Sequence, residues 1–305
     1  MKNTPLTAES QALSHGDWTQ REVLHQRRAD NLTAGWRQRQ QTGERHAIED
    51  FLFTYYPFKP SLLRRWHPGA GVELERASRE ERARWRWYTG RGESLVVDAA
   101  AFIARKSASL NFIERLMRST AARPAQFSCF GLHEWAMVYR LTADTVRHAN
   151  TPLRLSPQET DRVVESHKIA CSHYDAFRFF TAPAVGLNTL RPTRENQPAI
   201  EQPGCLHAGM DVYKWVIKLG PLIPGELLLD SFELARDIRV LDMRASPYDV
   251  SGYGLTPVAI ETDEGKAEYV RQQREFSALS QQLRERVVTA ITQARIIASQ
   301  TEVAA

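Results

Sequence analysis

The sequence predicts a mainly α fold: a helical single domain with a small β-hairpin element near residues 66–98. Three observations carry this. Residues 98–120 and 263–299 hold helical periodicity over long stretches without a proline. "SPQET" places Ser156 as an N-cap, Pro157 at the first helical position and Glu159 at the third, a helix-start signature. "WHPGAGVELER" and "RWRWYTGRGESLVVD" combine glycine turns with apolar alternation, the pattern of short paired strands.

The elements follow in order. Residues 8–41 are polar, rich in Arg and Gln and poor in breakers, and read as an exposed helix. Residues 44–56 read as a short helix ended by Pro57 and Pro60. After the hairpin region come helices at 98–120, stopped before Pro124, and at 130–142. A long buried helix is predicted over 157–181, then a Pro/Asn/Thr-rich loop over 183–203. Helices at 205–219 and 224–241 lead into the loop "RASPYDVSGYGLTP", and "VAIET" reads as a short strand. The organisation predicted is an N-terminal polar helix (1–43), a helical core (44–262) and a long C-terminal helix (263–305) packed on or extending from it. No internal repeat or low-complexity segment is present.

Composition narrows the class. The 305 residues are 42% hydrophobic and 25% charged, as in soluble globular chains. No run approaches the roughly 18 apolar residues of a membrane span. The first residues, "MKNTPLTAESQALSHGDW", carry no apolar secretory h-region. Three cysteines, an odd number, point to reduced thiols and a cytoplasmic protein without a membrane partner. The net charge of +4 hides an asymmetry: residues 1–128 hold 21 Lys+Arg against 14 Asp+Glu, and the remainder 19 against 22. A basic front half favours an anionic partner such as nucleic acid, although a solvated Arg-rich surface gives the same count.

Chemistry-bearing residues recur in a pattern. Each cysteine has a histidine within four positions: Cys129 with His133, Cys171 with His167 and His173, Cys205 with His207. Thiolate and imidazole suit zinc or iron, whereas buried cysteine is also ordinary core material. No CxxC or HExxH spacing is present, since position 137, where a second histidine would complete "HEWAM", is Met. His46 with Glu49 and Asp50, and His207 with Asp211, put an imidazole and a carboxylate on one helix face. Helical spacing also predicts shared faces for His167, Cys171, Asp175 and Arg178, for His207, Asp211, Lys214 and Lys218, and for Cys129, His133 and Arg140. Polar faces amid apolar neighbours need pairing, and three of them can wall a polar pocket.

Two further stretches stand out. In "ERASREERARWRWYTGRG", Arg79, Arg82, Arg84, Arg86 and Arg91 interleave with Trp85, Trp87 and Tyr88, a combination that serves phosphate binding and base stacking. Glu80 and Glu81 partly neutralise it, as on a solvated charged helix. In "LDMRASPYDVSGYG", an Arg-held Asp242 can activate water, or Arg244 can bind an anion beside Ser246, Tyr248 and Asp249. GxSxG, P-loop and GxGxxG motifs are all missing.

As a set, "HAIEDFLFTYYPFKPSLLRRWHPG", "FSCFGLHEWAMVYR", "CSHYDAFRFFTAPA", "EQPGCLHAGMDVYKW", "LDMRASPYDVSGYG" and "IETDEGKAEYVRQQREF" resemble a bacterial family, common in actinobacteria, named 3-methyladenine DNA glycosylase. The resemblance runs from about His46 to Phe276. It implies excision of an alkylated purine from duplex DNA by N-glycosidic hydrolysis, with no cofactor required. The helix-hairpin-helix pattern of other glycosylases does not carry over: "GPLIPGELLLD" has Pro224-Gly225 but no second glycine, and Asp230 stands at the wrong distance. Under this implication a cationic base meets Trp135, Tyr139, Tyr174, Phe177 and Trp215, with Arg178, Arg244 and Tyr248 beside the substrate. Glu134, Asp211 or Asp242 orients water and stabilises the sugar cation, and the Arg block holds the phosphates.

The residues themselves leave two alternatives. One is a divalent-metal (Zn, Fe or Mn) hydrolase or oxygenase, in which His133, His173, Asp175, His207 and Asp211 gather with Glu134 in the helical interior. The other is a non-catalytic helical protein that binds nucleic acid. The metal alternative requires His133, His173 and His207 to converge.

Overall fold

A computed structural model describes residues 11–141 and 151–303. Residues 8–10 of the first predicted helix and residue 142 of the fourth lie outside the described residues. The chain is mainly α, with one small sheet. Its helices are α1 (His15–Thr42), α2 (Phe51–Tyr55), α3 (Pro60–Arg64), α4 (Ala99–Ala121), α5 (Leu132–Ala136), α6 (Pro157–Glu165), α7 (Tyr174–Phe177), α8 (Ala182–Val185), α9 (Gln197–Ile200), α10 (Leu206–Leu219), α11 (Gly225–Arg244) and α12 (Asp263–Val303). The strands are β1 (Gln11–Leu13), β2 (Val72–Leu74), β3 (Tyr88–Arg91) and β4 (Ser94–Val97).

Caps explain most helix starts. Ser14 accepts from the Asp17 N–H at the head of α1, and Asp98 accepts from the Ala101 N–H at the head of α4. The Ser156–Glu159 capping box opens α6 as its sequence predicts. The predicted hairpin is β3–β4, turned at Gly92 with φ +58°, a conformation that favours glycine. β2 pairs antiparallel with β4, giving the order β1-β2-β4-β3.

Several elements differ from the sequence prediction. The helix predicted from residue 8 is preceded by β1, which pairs parallel with β2. The 44–56 helix contracts to α2, because Asp50 is drawn to Arg39 and the His46 N–H, and His46 Nδ1 accepts from the Ile48 and Glu49 N–H groups. Those bonds make His46, Glu49 and Asp50 a turn and not a ligand set. The 130–142 helix contracts to α5, led by Phe130 and Gly131 at φ +44° and +70°. The 183–203 loop contains the short helices α8 and α9. "VAIET" forms no strand, and its Val258 N–H donates to the Arg244 carbonyl.

The largest correction concerns 157–181. α6 stops at Glu165, where Ser166 and His167 turn their side chains onto the Val163 carbonyl. Residues 168–173 then form no helix, and Ile169 bridges Asn188. The Asn188 amide accepts from the Cys171 N–H at 2.7 Å and donates to the Cys171 carbonyl at 3.0 Å, taking over both bonds a helix would have supplied. The predicted shared face of His167, Cys171, Asp175 and Arg178 therefore does not exist.

The core is built on α10. Nearly every side of this helix is buried, as in a helix enclosed by others. It packs on α11 and α12, and α12 lies along α4 and crosses α11. Gly209 sets the closeness of approach: a Cβ there would stand 2.5 Å from Ser280 Oγ and 3.0 Å from Ile238 Cδ1. Because α10 is enclosed, its polar residues His207 and Asp211 must find partners inside the protein. Asn188→Ala strips the buried Cys171 backbone of both bonds, and we expect a loss of about 1–3 kcal/mol in urea unfolding; a loss under about 0.5 kcal/mol would show that the segment does not depend on this clamp.

Candidate metal centre

The three motifs that pair cysteine with histidine meet. Cys129, His133, Cys171, His173, Cys205 and His207 line one cavity of about 20 Å³, closed from α12 by Tyr269. α5 supplies His133, the non-helical segment before α7 supplies Cys171 and His173, and the start of α10 supplies His207. The His133 and His207 rings meet edge-on at 4.3 Å, and those of His173 and His207 lie 5.3 Å apart. A volume of 20 Å³ holds about one water molecule or ion.

At one end of this seam, His133, His207 and Asp242 place three ligand atoms within 4.8 Å of one another, whereas His173 and Asp211, expected among the ligands, fall outside this group. Nε2 of His133 is 3.0 Å from Asp242 Oδ1, yet neither atom makes a well-directed hydrogen bond with any described residue. Behind them, Arg239 Nη1 donates to Glu134 Oε1 at 2.9 Å and to Asp242 Oδ2 at 2.7 Å, with its guanidinium over the Phe51 ring at 3.9 Å. Burial alone would raise the Asp242 carboxyl, but His133, His207 and Arg239 outweigh it and hold the group well below the usual carboxylate range. Burial opposes protonation of His133, but Asp242 outweighs it and raises this imidazole. His207 is held well below its ordinary value by burial and then by His133. Glu134 is raised by burial, against the pull of Arg239.

At the other end, His173 Nε2 lies 3.2 Å from Asp211 Oδ2, while its buried Nδ1 has no partner among the described residues. Asp211 is held on the far side by the Tyr56 hydroxyl at 2.5 Å and Lys214 Nζ at 2.7 Å. Burial would raise Asp211, but Lys214 and His173 keep it well below the carboxylate range. A carboxylate of this kind fixes the tautomer and orientation of its histidine. The thiols are held protonated by burial, with Cys171 pushed up to about 12 and Cys129 and Cys205 also raised.

The remaining predicted residues divide. Asp175 pairs with Lys214 and Arg178 and stays outside the His133–His207–Asp242 group. Trp135 is enclosed and donates to the Ala245 carbonyl, and Tyr248 packs with Ile48, Val138 and Met243. Tyr139 donates to Glu165, Tyr174 lies under Arg194, and Phe177 packs on Phe180. Arg178 lies over Phe179, and Trp215 stands edge-on to Phe112 beneath Lys214 and Lys218. None of these eight lines the cavity at the histidines, and neither does Arg244, which donates to the Thr256 carbonyl. Asp242 is thus held by Arg239 and not by Arg244. Ser246 caps the Met243 carbonyl and Asp249 accepts from the Ser251 N–H, so the loop serves its own turn. Arg82 is buried against Glu22, Trp66 and Trp85, whereas Arg79, Arg84, Arg86 and Arg91 are exposed.

Sequence reasoning missed Arg239, Tyr56 and the place of Asp242 among the ligand candidates. The signal for the first was an arginine set between apolar residues in "ARDIRVLDM", three positions before a carboxylate. Comparison with family models, with curated proteins and with solved structures gives no match.

Two predictions follow from these charges. Arg239→Met leaves Glu134 and Asp242 buried without their cation, and we expect a loss of about 3–5 kcal/mol in urea unfolding; a loss below about 1 kcal/mol would remove this pair from the centre of the structure. His207 has a folded pKa below its unfolded one, so its contribution is complete above about pH 6.5 and is lost as pH falls, by up to about 1.4 kcal/mol per pH unit. Measured in chelator between about pH 5.5 and 7.5, the stability of His207→Gln should lack that part of the acid-side slope; equal slopes would show that His207 titrates normally.

Proposed function

We propose that this chain is a metal-dependent enzyme in which His133, His207 and Asp242 hold one divalent cation. The observation that carries this is the approach of their three buried ligand atoms to within 4.8 Å beside a water-sized cavity. Two imidazoles and one carboxylate suit zinc, iron or manganese. Charge supports the same reading. Arg239 balances only one of the two carboxylates it touches, so the pair calls for a second positive charge, which is a proton on Glu134 or His133, or a cation. His207, kept neutral by burial, already has the form a metal takes.

Three protein ligands would leave a position for water, and a cation held there would supply a nucleophile near neutral pH. His173, oriented by Asp211, stands next to His207 to accept or return a proton. The reaction class that fits best is hydrolysis; an iron-loaded centre that consumes oxygen is the variant within the same reading. Excision of an alkylated purine is the competing proposal.

Elemental analysis after loading should find one zinc, iron or manganese per chain, with affinity reduced about 100-fold or more in Asp242→Asn. No stoichiometric metal, or equal loading of wild type and Asp242→Asn, would overturn the proposal. Release of methylated base from alkylated duplex DNA in excess chelator would put the excision reading in its place.

A further inference from the structure

A second cavity, of about 250 Å³, shares no lining residue with the histidine seam. Its walls are the C-terminal part of α10, the turn into α11, and the segment 85–87 that precedes β3. Nine residues along α10 separate His207 from Val216, which puts the two sites about 14 Å apart. Val216, Ile217, Ile223 and Leu228 make one side apolar. Trp85 and Trp87 face it with Arg65 and Arg86.

The two arginines are held by their faces alone. Arg65 Cζ lies 4.7 Å over the Trp85 ring, and Arg86 Cζ lies 4.3 Å over Trp87. Both are exposed, and neither makes a hydrogen bond or ion pair among the described residues. Stacking holds a guanidinium by its face and leaves its in-plane N–H fork free for an oxyanion. Trp87 adds a third sign. It has φ +79°, a costly conformation for a bulky side chain, held by a bond from the Asp98 N–H to the Trp87 carbonyl. Arg82 of the same stretch is spent on structure, stacked among Trp18, Trp66, Trp85 and Tyr88. His67, at the groove's edge, is kept neutral by burial, its pKa lowered to about 3, so the positive charge at the mouth comes from the arginines.

From this groove we infer a binding site for a small planar anion of mononucleotide class, its ring between the indoles and the apolar wall, its phosphate on Arg65 and Arg86. An apolar slot with a few charged groups at its edge is the usual form of such a site. The volume accommodates one base and not a stretch of strand. The inference is independent of the metal centre.

Adenosine 5′-monophosphate is the probe, followed by tryptophan fluorescence on the full chain. Saturable quenching at one site per chain is expected, weakened roughly tenfold or more in the double variant Arg65→Gln/Arg86→Gln. Adenosine without phosphate should bind more weakly and ignore that double variant. Ile217→Trp, which fills the groove from a half-buried position, should abolish quenching while leaving the far-UV circular dichroism and unfolding midpoint of the wild type. Absence of saturable quenching, adenosine binding as tight as the nucleotide, or indifference to both variants would overturn the inference. So would a single-stranded oligonucleotide that binds tenfold tighter than the mononucleotide, since the occupant would then be a strand.

Discussion

Everything at the centre of this protein turns on a fully buried guanidinium. Arg239 has no water to solvate it, and its charge is tolerable only because Glu134 and Asp242 meet it within 3 Å and Phe51 covers its face. The pairing binds α5 to α11 through the interior. It also leaves a surplus of negative charge on Asp242, and that surplus draws His133 close. Burial, with His133 adding to it, keeps the neighbouring His207 neutral. The histidine seam is therefore a consequence of burying one arginine beside two acids.

The far end of the seam repeats the logic with a lysine. Asp211 sits at the core of α10 with Lys214 one turn on, and Tyr56 and His173 complete its bonding. Two anion–cation groups are thus joined by three imidazoles across about the width of one helix packing. Such a chain is expensive unless each member is satisfied. Among the described residues His173 Nδ1 and Arg239 Nε make no hydrogen bond, and His133 Nε2 and Asp242 Oδ1 face each other at 3.0 Å without a well-directed one.

The fold was legible where local chemistry decides structure. Ser156, Pro157 and Glu159 announced α6, and the periodicity of 98–120 and 263–299 matched α4 and α12. It was illegible where a distant side chain intervenes. Nothing near Cys171 reveals that Asn188 takes over its backbone bonds, so helical spacing extended α6 too far. The site shows the same division. The recurrence of histidine beside cysteine pointed to three walls, and those walls meet, although one of them is not the helix that spacing predicted. Arg239 was hidden because a single arginine in an amphipathic run ordinarily faces water. The Arg/Trp stretch was read as one patch, but its members part: Arg82 turns inward to stack on three tryptophans, while Arg86 stays on the surface.

The Asn188 clamp has a consequence for the site. Of the six histidines and cysteines around the small cavity, His133 lies in α5, and Cys205 and His207 open α10. Cys171 and His173 hang from a short non-helical segment tied mainly by one amide side chain and Thr189. The placement of this wall therefore rests on side chains and not on a helical ladder. Where Cys171 and His173 stand is then set by Asn188, a residue that touches neither the ligand atoms nor the charges behind them.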